Sequence, residues 1–236
     1  MGSAENGMKG RRKPAALRLG WLVLSAALLA LLWRFPRHSW RPSSLADGVG
    51  PVTQRRYWLD LSGTTRSAGE TSDLLLQTLP ELVPPALAHF RRRRPGQGDT
   101  GVEDLFSILM IGLRRGRVRV AKLWENGFRL QTLRQHPESG WTEFRVLPLP
   151  PSQGEGGQRL EICSLMRASS RLDRLAYLLG VSTLQRLTWE STLRRAQQVS
   201  GGRKTGQGQR TEEWPYAAFL QRAGAEGADD PSAQGR

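Results

Sequence analysis

A single cysteine, Cys163, in 236 residues excludes any disulfide within the chain, and with it the disulfide-stapled secreted modules. Histidine is equally scarce. His38, His89 and His136 stand far apart, without ligand-type neighbours at metal spacing, so no His/Cys metal site is expected. The chain contains no G-x-G-x-x-G, no G-x-x-x-x-G-K-[ST], no H-E-x-x-H and no G-x-S-x-G, which removes the common nucleotide, zinc-protease and hydrolase signatures. GEGG at 154–157 lies between two candidate strands and opens no helix, so it reads as a loop. Acidic residues are in deficit, 21 against 35 Lys and Arg, for a net charge of +14. That excess favours anionic partners, membrane headgroups or nucleic acid. A hydrophobic content of 38% is too high for a wholly disordered chain and too low for a multi-span membrane protein.

One long uncharged run is present, Leu19 to Trp33 (LGWLVLSAALLALLW). At about 1.5 Å per residue it spans roughly 22 Å, short of a hydrocarbon core of about 30 Å. Arg18 and Arg34 can snorkel, and Trp21 and Trp33 suit the two interfaces, which narrows the gap. A signal peptide has an apolar region of similar length, but Ser25, Ala26 and Ala27 lie mid-run and no A-x-A-like site follows. An organellar presequence is the other alternative, since Glu5 is the only acid before Asp47. The preferred expectation is a retained single-pass membrane anchor. Basic residues flank the run on both sides, and Arg55 and Arg56 even the count, so orientation stays open.

The chain then divides by composition into a basic segment (1–18), the anchor (19–33), a Pro/Ser/Gly-rich linker (34–51), a folded domain (52–199) and a flexible tail (200–236). In the tail, Glu212 to Leu220 (EEWPYAAFL) suits one helical turn that docks somewhere. Within the domain, Arg55–Leu61 reads as a strand. Thr71–Phe90 reads as two short helices, because Pro80, Pro84 and Pro85 cannot continue one. Val102–Leu113 is apolar at helical spacing. Four strands follow at Arg117–Trp124, Phe128–Arg134, Thr142–Leu149 and Arg159–Met166, with connections short enough for an antiparallel meander.

Asn126-Gly127 is the strongest hairpin signal. A three-residue loop with Gly127 in the left-handed region pairs Trp124 with Phe128 and unites Val118, Val120, Phe128 and Leu130 on one face. A long helix closes the domain. Leu172, Leu175, Ala176 and Leu179, then Leu184, Leu187 and Leu193, recur at helical spacing around a break at Gly180, and Ser169 or Ser170 suits the cap.

FRLQTLRQHPESGWTEFRV (128–146) and the stretch from Arg159 to Ala196 resemble the C-terminal half of uncharacterised protein family 0548 of plants and bacteria. Phe128, Thr132, Leu133, His136, Pro137, Gly140 and Phe144, then Glu161, Ile162, Leu165 and Gln185, match its pattern. Gln135, Trp141, Thr142 and Ala168–Ser170 depart from it, so any role of the family's paired acids does not transfer. The resemblance implies a START-like, helix-grip α+β domain: an antiparallel sheet packed on a long C-terminal helix.

Asp60, at a strand end, reads as a solvated carboxylate, and His136 as a turn histidine bonded to backbone. No catalytic residue, metal or cofactor is assigned, and the chain is expected to be non-catalytic. The expected ligand site is an apolar cavity lined by Trp124, Phe128, Phe144 and Tyr177, with His136 or Glu161 as a polar group, for a hydrophobic small molecule or lipid. The alternative is a membrane-anchored interaction factor with a filled core, acting through its basic surface and the tail around Trp214. The basic clusters at 91–94, 114–119 and 194–195 suit an anionic lipid surface better than nucleic acid, because the aromatics fall at predicted core positions.

Overall fold

The structure, a computed structural model, describes residues 40–93, 100–110, 114–150 and 156–228. Leu19–Trp33 lies outside the described residues. The composition predicts a linker as far as Pro51, yet the chain is already held at Ser43, which is buried and bonds Thr132 through both its backbone N–H and its hydroxyl. β1 (Val49–Ser62) keeps one alternation through its second half: Arg55, Tyr57, Leu59 and Leu61 turn inward, Arg56, Trp58 and Asp60 outward.

α1 (Ala68–Gln77) opens on a capping box in which Glu70 N–H donates to Ser67 Oγ and Ser67 N–H donates to the Glu70 carboxylate. These bonds lower the Glu70 pKa. Pro80 sits in the first turn of α2 (Leu79–Leu82), where its missing N–H costs nothing. The prolines predict a pair of short helices, but helix ends at Leu82, and Ala88–Phe90, expected within the second helix, is strand. The chain then turns into β2 (Ala88–Arg92), and β3 (Leu105–Met110) follows where a helix over Val102–Leu113 was expected. Short apolar runs fit both periods. Burial of Phe106 and Ile108 between exposed or half-buried neighbours shows a period of two, and strands on both sides supply its partners.

β4 (Arg115–Trp124), β5 (Gly127–Thr132), β6 (Glu138–Pro148) and β7 (Gln158–Ala168) form the expected meander. The hairpin differs from expectation. Trp124 pairs with Gly127 across a two-residue loop of Glu125 and Asn126, and the extra residue is Ala121, within β4. Moving the bulge into the strand keeps Val118, Val120, Phe128 and Leu130 on the core face with another register. Gly127 is not in the left-handed region. It is needed because a Cβ there would lie 2.6 Å from the Phe144 carbonyl oxygen and 2.5 Å from the Trp124 ring nitrogen.

The closing helix runs as α3 (Arg171–Ala176), a π turn (Tyr177–Val181) and α4 (Ser182–Ser200). Ser170 Oγ caps it by accepting from Asp173 N–H. The expected break falls at Gly180, whose φ of 124° only glycine adopts readily. α4 buries Thr188, Trp189, Thr192, Leu193 and Ala196, one stripe against the sheet. The threonine hydroxyls in that stripe donate to carbonyls one turn back, at 2.8 Å each, so burial leaves them satisfied. The core joins this stripe to Leu75, Leu76, Leu79 and Leu82 and to the inner sheet face around Phe106, Phe128, Phe144 and Ile162. By contrast, Leu172, Leu175 and Leu179 face outward, against the expectation that the periodic leucines are core.

The chain does not become a tail at Ser200. β8 (Arg203–Trp214) returns antiparallel along β1, paired from Val52 to Ser62, and α5 (Tyr216–Ala228) follows. Sheet order is β2-β3-β4-β5-β6-β7-β1-β8. The composition of 203–214 suggests disorder because it offers no apolar face, and none of its residues is buried; what orders the strand is the free backbone edge of β1. Gly208 lies under the Trp58 indole and Gly206 beside the Asp60 carboxylate, where larger residues would collide.

The outer sheet face is a lattice of paired charges. Buried Glu143 is held by Arg129 and Arg145, and Arg129 stacks on Trp141. Asp60, expected to be solvated, accepts two bonds from Arg159 at 2.6 and 2.9 Å.

Candidate functional site

The inward alternation of β1 places Arg55 on the same face as Tyr57, Leu59 and Leu61, so a guanidinium is carried inside, with its side chain 4% exposed. Three elements meet it. Glu138, the first residue of β6, brings Oε1 to 3.6 Å from Arg55 Nη1. Tyr177, in the π turn, lays its ring 4.5 Å from the guanidinium carbon. Gln185, one turn into α4, donates from Nε2 to Glu138 Oε2 at 2.9 Å. At 3.6 Å the Arg55–Glu138 pair is electrostatic rather than a good hydrogen bond. Arg55 Nη1 and Gln185 Oε1 are both buried without a hydrogen-bond partner. An unused donor and an unused acceptor thus flank one carboxylate, a costly arrangement when nothing completes it.

Arg55, Glu138 and Tyr177 line a cleft of about 90 Å³ between the sheet and the bent first half of the closing helix. Val49, Pro51, Met166, Leu178 and Val181 supply its apolar lining, and Arg167, Asp173, Arg174 and Glu213 add charge around them. By volume it admits several water molecules or one small polar head.

Desolvation raises the Glu138 pKa, opposed by Arg55 and by the Gln185 bond. Desolvation also raises the Tyr177 phenol and pushes the Tyr57 phenol up to about 12, so both stay neutral. His136 is 7% exposed, and burial pushes its pKa down to about 4. His136 Nδ1 lies 2.9 Å from the Glu138 carbonyl oxygen and 3.1 Å from the Glu138 N–H, so the ring shapes the turn that delivers Glu138.

Among the residues expected at the site, only Tyr177 lines the cleft. His136 supports it from behind through the Glu138 backbone. Phe128 and Phe144, 1% and 3% exposed, stack with ring centres 4.7 Å apart, and the edge of Trp189 closes on Phe144 at 5.8 Å. These rings fill the space in which a cavity was expected; what remains beside Phe144 is about 10 Å³, room for one water at most. Trp124 sits at the hairpin against Gly127. Glu161 belongs to the outer-facing series of β7, with Arg145 and Trp58 as its pair partners. Arg55, Glu138 and Gln185 were not foreseen. One signal was available: in RRYWLDL, strand parity puts Arg55 with Tyr57, Leu59 and Leu61. Among the described residues no group of His, Cys, Asp and Glu could hold a metal.

No protein-family model matches the chain, and no curated protein matches it in sequence. Solved structures do resemble it. Norcoclaurine synthase from Thalictrum flavum, determined with dopamine and hydroxybenzaldehyde, is 10% identical over 70% of this chain and 98% of its own, at a TM-score of 0.46. The di-domain ARO/CYC StfQ from the steffimycin biosynthetic pathway is 15% identical over 81% of this chain and 62% of its own, at 0.44. Ara h 8.0201 is 10% identical over 63% and 97%, at 0.40. An antiparallel sheet whose strands close around one long C-terminal helix is the helix-grip arrangement. This chain has that fold. The agreement with family 0548 goes no further than the fold, since no model of that family matches.

Proposed function

We propose that this helix-grip domain is a non-catalytic module that takes a hydrophobic small molecule by its polar head, in the cleft beneath the bent helix and not in the sheet core. One observation carries the proposal: a buried arginine whose Nη1 has an ion pair at 3.6 Å but no hydrogen bond stands at the wall of a cleft with a largely apolar lining. A carboxyl or hydroxyl head satisfies Arg55, while the apolar part of the molecule lies along Leu178 and Val181 at the mouth. A membrane anchor at Leu19–Trp33 belongs to the same proposal, since it would hold the cleft near a lipid source.

The test is native mass spectrometry of the full chain, with titration of oleate and of oleyl alcohol. Arg55→Met should weaken oleate binding about tenfold or more, since a charge-assisted bond contributes about 1.5–3 kcal/mol. If no lipid accompanies the protein and neither probe binds, the cleft proposal fails. The packed Phe128–Phe144–Trp189 core favours the second reading in that case: a membrane-anchored interaction factor acting through its basic surface or through the C-terminal segment around Trp214.

A further inference from the structure

The first half of the closing helix wears its apolar residues on the outside. Leu172, Leu175, Leu178, Leu179 and Val181 are 45%, 52%, 72%, 78% and 45% exposed. Exposed apolar side chains are ordinary when scattered; five within ten residues of one segment form a patch that marks a contact. The exposed charges within the segment itself have one sign, although Arg186 pairs with half-exposed Glu190 one turn on, at 3.8 Å, and Glu213 lies in the cleft beside Leu178. Between positions 171 and 187 the only acid is Asp173, and it is turned inward, 10% exposed and bound to Arg114 and Ser170. Arg171, Arg174 and Arg186 on the same segment are exposed. The outward surface is therefore leucine and arginine, with no exposed carboxylate on the segment.

We propose that the segment 171–187 lies in the interface of an anionic bilayer, its leucines among the upper acyl chains and its arginines at the headgroup phosphates. Three considerations select the bilayer. An apolar stripe rimmed by arginine is the composition of helices that rest on anionic membranes. No described helix is long and apolar enough to cross one, so the segment would lie along the surface. A second copy on the same patch would bring one arginine-rimmed surface against another, a like-charge contact that disfavours a symmetric dimer. The π turn suits the role: nothing lies within 4 Å of a Cβ at Gly180, so the outer side of the bend is open, while Tyr177 and Asp173 hold its inner side to Arg55 and Arg114. None of this rests on the cleft holding a ligand.

The test reads position and not mere membrane association, because the full chain also carries the run Leu19–Trp33. Full-length protein with Leu178→Cys, in a Cys163→Ala background, is labelled with an environment-sensitive fluorophore. It is then reconstituted in phosphatidylcholine vesicles with or without phosphatidylserine, containing lipids that carry a quencher high on the acyl chain. The label should shift to the blue and be quenched several-fold more in phosphatidylserine vesicles than in phosphatidylcholine alone. Arg171→Glu with Arg186→Glu should remove most of that difference. A label at Leu147→Cys, at the end of β6 farthest from Glu138, should stay in water. Leu179→Cys, at a more exposed position, repeats the measurement if the first variant folds poorly. A water-like label in anionic vesicles would overturn the proposal. So would apolar emission that rises with protein density without lipid quenching, which would assign the patch to a second copy.

Discussion

His136 shows how much one buried ring can bias stability with pH. Its pKa falls from 6.5 to about 4 because desolvation outweighs the bond to Glu138. At about 1.4 kcal/mol per unit that difference is about 3 kcal/mol. The unfolded chain takes up a proton near 6.5 and the folded chain refuses it until about 4, so this contribution is intact above 6.5 and lost as pH falls toward 4. Glu138 has the opposite sign: its pKa is raised, the folded state keeps a proton that the unfolded chain releases, and its contribution declines as pH rises above 4.5. NMR should therefore follow the His136 ring to a midpoint near 4, and His136→Asn should flatten the acid side of the stability profile. A midpoint near 6.5 would place the ring in water. The turn histidine bonded to backbone was legible from His136-Pro137. Its partnership with Glu138 beneath Arg55 was not, because those residues meet only when β1 and β6 lie on either side of β7.

At the scale of elements, strand parity and proline placement were legible, and the outcome at edges was not. The strands from β4 to β7 follow their alternation, and α1 and α2 divide where Pro80 requires. β8 escaped notice because a Gly-, Gln- and Arg-rich strand has no apolar face of its own; its order comes from hydrogen bonds to β1. Ending the chain at Ser200 should consequently expose the β1 edge from Val52 to Ser62 and uncover Trp58. Size-exclusion chromatography should show self-association, and the melting temperature should drop by several degrees. A truncated chain that stays monodisperse with an unchanged melt would mean that β8 is a passive addition.

At the scale of the whole molecule, the proposals place a helix-grip domain at a membrane by two independent features, the N-terminal apolar run and the outward leucines of α3 and the π turn. Carbonate extraction followed by N-terminal sequencing should find the chain in the membrane with Leu19–Trp33 retained; a soluble chain beginning beyond Trp33 would remove the first feature and leave the second. The sequence by itself determined the α+β class, the meander, the presence of a hairpin between β4 and β5 though not its register, and a closing helix with a break at Gly180, because each follows from spacing along the chain. Only the tertiary structure decided which side of that helix is buried. Leu172, Leu175 and Leu179 repeat as a core stripe would, but periodicity records that a helix has an apolar face and not what the face meets. Thr188, Trp189 and Thr192 took the sheet instead, with hydroxyls satisfied by their own helix, and the aromatic rings packed solid. The cleft beside Arg55 formed at the end of the helix that the core did not fill.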